Sequence, residues 1–314
     1  MKYTLLCIVF FCCLLTPGSV VHAQSSGSYS PDRDAYAIHE FNAQGISNIT
    51  LRPGQGNITV YGVDNDEVRI EVYVTRRGIR VLQGDRIGDD YRFIFRQRGS
   101  EIQGEISPAR GTVSASNAPS FDFIVYAPFQ SNMSLATALG NIEVNAIKGN
   151  VEVRVGNGNI RTGGGSGSMR LYSAAGNVHV DSHQGVLFTN TVAGNVQLDR
   201  IDGETRIRVV SGNTRLHEMQ GDVLAHIING NIDFKMLRID NLVDLETVNG
   251  NISALLEMRQ GLNLNIEGQR VNLSQIRNFN GDIRQNRVTG DLEGGGPAIR
   301  MKTTVGRIDL DIQQ

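Results

Sequence analysis

Residues 140–230 read GNIEVNAIK GNVEVRVGN GNIRTGGGS GSMRLYSAA GNVHVDSHQ GVLFTNTVA GNVQLDRID GETRIRVVS GNTRLHEMQ GDVLAHIIN G, with a glycine at every ninth position from Gly140 to Gly230. Eleven successive hits without a gap are a repeat, and a repeat is the first thing to seek in a chain. Within the units, apolar residues stand two apart around a polar one, as in Gly140-Asn141-Ile142-Glu143-Val144 and Gly194-Asn195-Val196-Gln197-Leu198. That is the period of a strand and not of a helix. Each unit therefore holds a strand of about five residues, roughly 17 Å long, and a short turn.

Alternation between units sets the larger period. Asparagine follows the glycine at Asn141, Asn159, Asn177, Asn195, Asn213, Asn231 and Asn251, every 18 residues and then once at 20. The interleaved positions Asn150, Ser168, Val186, Glu204, Asp222 and Leu242 follow no such rule. The pattern predicts an all-β, two-sided parallel β-solenoid with about 18 residues per turn and two unlike corners. At one corner the asparagines form a structural ladder, each amide bonding its copies above and below. Coils need rungs of equal length because each sits on the last, which a meander does not. Nothing repeats at six, and the paired glycines and regular Asp of a calcium-binding nonapeptide roll are missing.

The expected inward pairs are Ile142/Val144, Val151/Val153, Met169/Leu171, Val178/Val180, Val196/Leu198, Ile232/Phe234 and Val243/Leu245. Ile147, Val192, Ile201, Val210, Met219, Ile228 and Leu237 offer a third apolar position in each unit. Rungs stack about 4.8 Å apart, so roughly six turns between Gly140 and Gly250 make a rod about 29 Å long.

The whole chain has 314 residues, 40% apolar and 20% charged, which is too rich in core-forming side chains for a disordered protein. Thirty Lys and Arg against 32 Asp and Glu leave a formal charge of -2, no footing for nucleic acid. Trp is absent, so stacking platforms for single strands are not expected either. Residues 1–23 read as a signal peptide: Lys2, the apolar block Thr4 to Leu15, the break at Pro17-Gly18, and Val21-His22-Ala23 before cleavage at Gln24. The block is too short for a stable membrane anchor, and none is expected after cleavage. Cys7, Cys12 and Cys13 all lie in this segment. The processed chain would then hold no disulfide, Cys nucleophile or thiolate metal site. The reading is an exported protein of the periplasm, cell surface or medium.

Residues 24–35 read as a flexible lead-in, 36–135 as a β-rich N-terminal cap with a long loop at about 99–120, and 136–314 as the solenoid. The cap would cover the sticky end of the coil, although Gly56-Asn57-Ile58-Thr59-Val60 is a stray copy of the repeat. The β-rich first half ends in Phe121-Asp122-Phe123-Ile124-Val125-Tyr126-Ala127-Pro128, the Gly-Asn-Ile/Val strands follow, and the chain closes on Thr303-Thr304-Val305-Gly306-Arg307-Ile308-Asp309-Leu310. In these features, over roughly residues 40–312, the chain resembles the bacterial putative-adhesin family of β-strand-repeat proteins. That resemblance implies surface binding, and the family has no established catalytic residues to carry over.

Two outward faces follow from the strand parity. One carries Asn141/Glu143, Asn159/Arg161, Asn177/His179, Asn195/Gln197, Asn213/Arg215 and Asn231/Asp233, in which Glu143 meets Arg161 and Arg215 meets Asp233. It reads as a solvated face with cross-strand charge pairs. The other carries Arg154, Arg170, Tyr172, Phe188, Arg206, Arg208 and Leu224. Arginine interleaved with aromatics suits contact with an envelope protein or with sugar rings. In Gly185-Val186-Leu187-Phe188 the parity is ambiguous, and Val186 and Phe188 could instead face inward. His179, His183, His217 and His226 offer no three-ligand cluster, so no metal or other cofactor is expected. The sequence thus reads as a non-enzymatic adhesin-like binding or scaffold module. The alternative is a polysaccharide lyase or hydrolase, since some β-helices are enzymes, but short turns build no cleft walls for it.

Overall fold

A computed structural model describes residues 35–82, 87, 90–109, 118–257, 260–274 and 276–313. The leader expected over 1–23, with its three cysteines, and all of the lead-in but residue 35 lie outside these. Among the described residues all regular structure is strand.

One lap shows why the sequence coils. Strand β13 (Val178–Ala193) begins on one wall, here wall A, where Val178–Asp181 pair in parallel with Ile160–Gly163 of β12 (Ile160–Ala175) and with Val196–Asp199 of β14 (Val196–Ser211). At Ser182 the backbone takes a left-handed conformation, φ 63°, and turns a wide corner through Gly185. Leu187–Ala193 then run along wall B, and Gly194 makes a sharp corner back to wall A. Each residue lies 18 positions from its neighbour in the next rung, so β12 to β14 and β15 (Thr214–Asn229) are copies of one lap. In β16 (Ile232–Asn249) the lap lengthens by two at the wide corner. There the Asp222 carboxylate accepts the N–H groups of Asn241 and Leu242 at 2.7 and 3.0 Å. Burial alone would raise its pKa, but these bonds and the Asn241 side-chain amide hold it below the ordinary value.

Each sharp-corner glycine is needed twice over. Gly194 sits at φ +144°, and a Cβ there would lie 2.0 Å from the carbonyl oxygen of Gly176 one rung away. The asparagine beside each glycine links the rungs. The N–H of Asn195 donates to Asn177 Oδ1 at 3.0 Å, and the same bond recurs at 2.8–3.0 Å from Asn141 to Asn251. Two members join the ladder from outside the repeat. Asn57 precedes Asn141 in the ladder, and its own N–H donates to Asp122 at 2.8 Å, while Arg307 N–H donates to Asn251 at the far end. A carboxylate thus ends the row where its donors point.

The core is the space between the walls. All seven expected inward pairs are buried, as are Ile147, Ile201 and Met219. Each such side chain contributes roughly 1.5–3 kcal/mol before conformational entropy is counted. Val192, Val210 and Ile228 are corrections: they are 50%, 41% and 47% exposed. On wall B the inward parity is set by Leu187, Thr189 and Thr191, so position 192 and its copies point out just before the sharp corner. Leu237 is half-buried because the bulged corner of β16 turns Met236 and Ile239 inward instead.

The first half of the chain is more than a cap. Strands β2 (Asn48–Gln55) and β3 (Ile58–Val63) form a full rung, as do β9 (Met133–Leu139) and β10 (Ile142–Asn145). The stretch expected as a loop over 99–120 holds β7 (Glu101–Pro108), which pairs with β6 (Tyr91–Arg98) and in parallel with β2, burying Ile102 and Ile106. Ile102, Gly104 and Ile106 face inward in alternation with Gln103, Glu105 and Ser107, a pattern that composition alone conceals. β7 and β8 (Ser120–Pro128) make the outermost rung. The rung β2–β3 lies between it and β9–β10, so the first rung in sequence is the second in space.

The far end repeats the device. After β17 (Ile252–Glu257), strands β18 (Leu262–Glu267) and β19 (Arg270–Leu273) make the last rung in space. The C-terminal β22 (Ala298–Val305) and β23 (Arg307–Gln313) slide in beneath it, against β16 and β17. Eleven parallel rungs result among the described residues, about 48 Å from first to last. Antiparallel strands border the stack: β1 (Ala37–Asn42), β4 (Glu67–Arg76), β5 (Ile79–Val81) and β6 at one end, β20 (Phe279–Arg284) and β21 (Arg287–Leu292) at the other. Such borders blunt the edges of a stack that would otherwise template further strands.

His183 tests the wide corner. It is 3% exposed and takes the place that Ile147 and Ile201 hold in other laps. Burial pushes its pKa below the ordinary 6.5, against a smaller upward pull from the Gly167 carbonyl at 3.2 Å from Nε2. The unfolded chain therefore takes up a proton as pH falls through 6.5 while the folded chain does not. This stability is fully present above 6.5 and is lost as pH drops toward the lowered folded value. In His183→Ile the loss of melting temperature between pH 7.5 and 5.0 should be smaller than in the wild type. Equal losses would show that His183 does not carry it.

Candidate functional site

Wall B presents its outward side chains in rows, one residue per rung. One row runs Ala136, Arg154, Tyr172, Asn190 and Arg208, and Arg52, at a register shift after Leu51, lies at its end along the same trough. Beside it run Glu152, Arg170, Phe188, Arg206 and Leu224. All seven residues expected on this face are thus together on it. Phe188 faces out because Leu187 is the buried neighbour, and Val186 stands exposed at the corner.

The two rows touch. The Arg154 guanidinium lies 4.7 Å from the centre of the Tyr172 ring, and that ring is 5.7 Å from Phe188 at a tilt of 54°. Both contacts lie within the range where cation–π and aromatic attraction operate. Glu152 pairs with Arg154 and Glu204 with Arg206. Arg170 donates to the Ser168 hydroxyl at 3.1 Å. Arg52, Arg170 and Arg208 have no ion-pair partner among the described residues.

Alongside runs a trough of about 540 Å³ crossing five rungs. Its floor is made of small residues, among them Ala138, Gly156 and Ala174, and its wall of Arg52, Arg154, Tyr172 and Asn190. The trough is lined by no Asp or Glu. At its end Val192 begins an exposed aliphatic ridge that continues through Val210, Ile228 and Val248.

Wall A differs. Asp181 pairs with Arg200, Asp233 lies 3.2 Å from Arg215 and 3.1 Å from His217, and Lys235 is 3.0 Å from Glu257. Asp199 accepts from Gln197 at 2.8 Å and lies 3.9 Å from His179. Glu143 is taken by the Asn145 side chain instead of Arg161, its register partner. His226 on wall B is 3.3 Å from Glu246. Among the described residues no three His, Cys, Asp or Glu side chains converge on a point where a metal ion could bind.

The family model Toastrack DUF4097 matches residues 45–311. The chain belongs to this family. Toastrack chains are β-solenoid-like repeats, the architecture described above. Three solved structures are similar over 88% of this chain. They are a putative adhesin from Bacteroides fragilis (11% identity, 96% of that chain, TM-score 0.43), a putative cell adhesion protein from Clostridium sporogenes (12%, 98%, 0.22) and a putative adhesin from Parabacteroides distasonis (11%, 96%, 0.29). The comparison with curated proteins finds no match.

Reading this Toastrack sequence alone misses Arg52, Ala136 and Asn190 on the candidate face. Asn190 was within reach, since it stands 18 residues after Tyr172. Arg52 was not, because it reaches its row only through the out-of-order rung β2–β3.

Proposed function

We propose that the protein is a non-enzymatic, adhesin-like binding module of the cell envelope, exported by its leader, that holds an extended partner along wall B. The observation that carries this is the pair of rows in which Tyr172 and Phe188 stand among Arg52, Arg154, Arg170, Arg206 and Arg208 on an open face. Aromatic and arginine side chains are those that concentrate binding energy at interfaces. A glycosidase would need two carboxylates facing each other across a bound chain. The trough offers donors and apolar surface but no Asp or Glu.

Co-sedimentation with washed envelope fragments tests the reading. Wild type should pellet with them, and Arg170→Glu/Arg206→Glu should stay largely in solution with an unchanged melting temperature. Equal pelleting of both would remove this face from the function. Steady release of reducing ends from a polysaccharide panel would replace the binding role with an enzymatic one.

A further inference from the structure

Within that binding role, we infer that the partner is a linear acidic polysaccharide, lying along the rod axis with its sugar rings on Tyr172 and Phe188 and its carboxylates on the arginines. The inference rests on wall B being the binding face, and adds the chemistry of what it binds.

Three features point this way. First, the trough runs with the axis across successive rungs and has a floor of Ala and Gly, so it accepts a narrow extended polymer rather than a compact ligand. Second, cations recur along both rows, with Arg208 three rungs beyond Arg154. Arg52 and Arg154 are two rungs apart along the trough, and Arg170 and Arg206 are two rungs apart in the neighbouring row. Two rungs span about 9.6 Å, comparable to two linked pyranose rings. A polymer with at least one uronate per disaccharide could thus set carboxylates on Arg52 and Arg154, or on Arg170 and Arg206, at once. Third, an aromatic ring fills the interval: Phe188 lies between Arg170 and Arg206 in its row, and Tyr172 follows Arg154. Flat rings with exposed edges take the apolar face of a sugar, while guanidinium groups take carboxylates in a bidentate fork.

Charge separates this partner from its rivals. Arg52, Arg170 and Arg208 lack an ion pair among the described residues, whereas the cations named on wall A, Arg161 apart, are matched by acids. A neutral glycan would leave those charges unused. An acidic peptide would match them without using the stacked rings.

Calorimetric titration with polygalacturonate, neutral dextran and poly-glutamate decides. Polygalacturonate should bind, dextran should not, and poly-glutamate should bind at least about tenfold more weakly, a difference of about 1.4 kcal/mol. Arg170→Gln/Arg208→Gln should lose at least about tenfold for polygalacturonate. Tyr172→Ala should lose about fivefold while Tyr172→Phe keeps the affinity, because the ring and not the hydroxyl makes the contact. Dextran binding as well as polygalacturonate would overturn the acidic requirement. Poly-glutamate binding equally would replace the glycan with an acidic peptide. Variants binding like wild type would move the site elsewhere. If envelope fragments still pellet through Arg170 and Arg206 while polygalacturonate does not bind, the polysaccharide assignment fails and the binding face stands. If the fragments do not pellet either, both fail.

Discussion

Gly194→Ala is expected to destabilise the protein by more than about 4 kcal/mol, about 8–16 °C in melting temperature for a chain of this size. Two effects add. The backbone at φ +144° is one that L residues rarely adopt, and the new methyl would overlap the Gly176 carbonyl oxygen at 2.0 Å. That oxygen belongs to a rung fixed by its own neighbours, so it cannot step aside without parting the stack. Gly45→Ala separates the two causes. Its φ of +75° is also left-handed, but nothing lies within 4 Å of the added carbon. It should cost only about 1–2 kcal/mol. Thermal melts followed by circular dichroism compare the two. A Gly194→Ala chain no less stable than Gly45→Ala would show that the sharp corner tolerates a side chain and that the stacking argument is wrong.

Removing residues 298–314 should release far more than the strands deleted. In a solenoid wound in chain order, loss of the last lap uncovers one rung. Here β22 and β23 are the penultimate rung, paired with β16 and β17 on one side and with β18 and β19 on the other. Without them β19 has no strand partner, and β18 keeps only its antiparallel partner β21. The buried side chains of Leu264, Ile266 and Val288 lose the floor they pack on. Hydrogen exchange should show residues 262–292 losing protection, and trypsin should cut after Arg270, Arg284 and Arg287. Residues 140–230 should stay protected, since a linear stack holds each rung by its neighbours. Protection of 262–292 equal to that in the full chain would refute the out-of-order rung.

The same threading explains where sequence reading stops. Residues 140–250 were legible because a coil that stacks on itself imposes the same local demands each lap. Glycine recurs where backbones nearly touch, asparagine where an amide must reach the next rung, and Val or Ile where side chains face in. The wide corner left only its glycine, every 18 residues from Gly149 to Gly221. Its left-handed position is held in turn by Ala146, Gly164, Ser182, Arg200 and Glu218, which share a backbone conformation and no side-chain chemistry. The misplacement of Val192, Val210 and Ile228 has the same root. They are apolar at a fixed interval, but their facing depends on a parity that is reset at the left-handed position of that corner.

What the amino-acid sequence determined by itself is therefore the lap: its length, its sharp corner, its inward strand positions and the two-walled stack they build. These are local and repeated, and each repeat reports the same constraint. The tertiary structure alone decided the order of rungs at both ends, the end of the asparagine row at Asp122, and the arrival of Arg52 beside Arg154 and Tyr172. Those features join residues tens of positions apart, each only once. A contact made once between distant parts of a chain leaves no period to read.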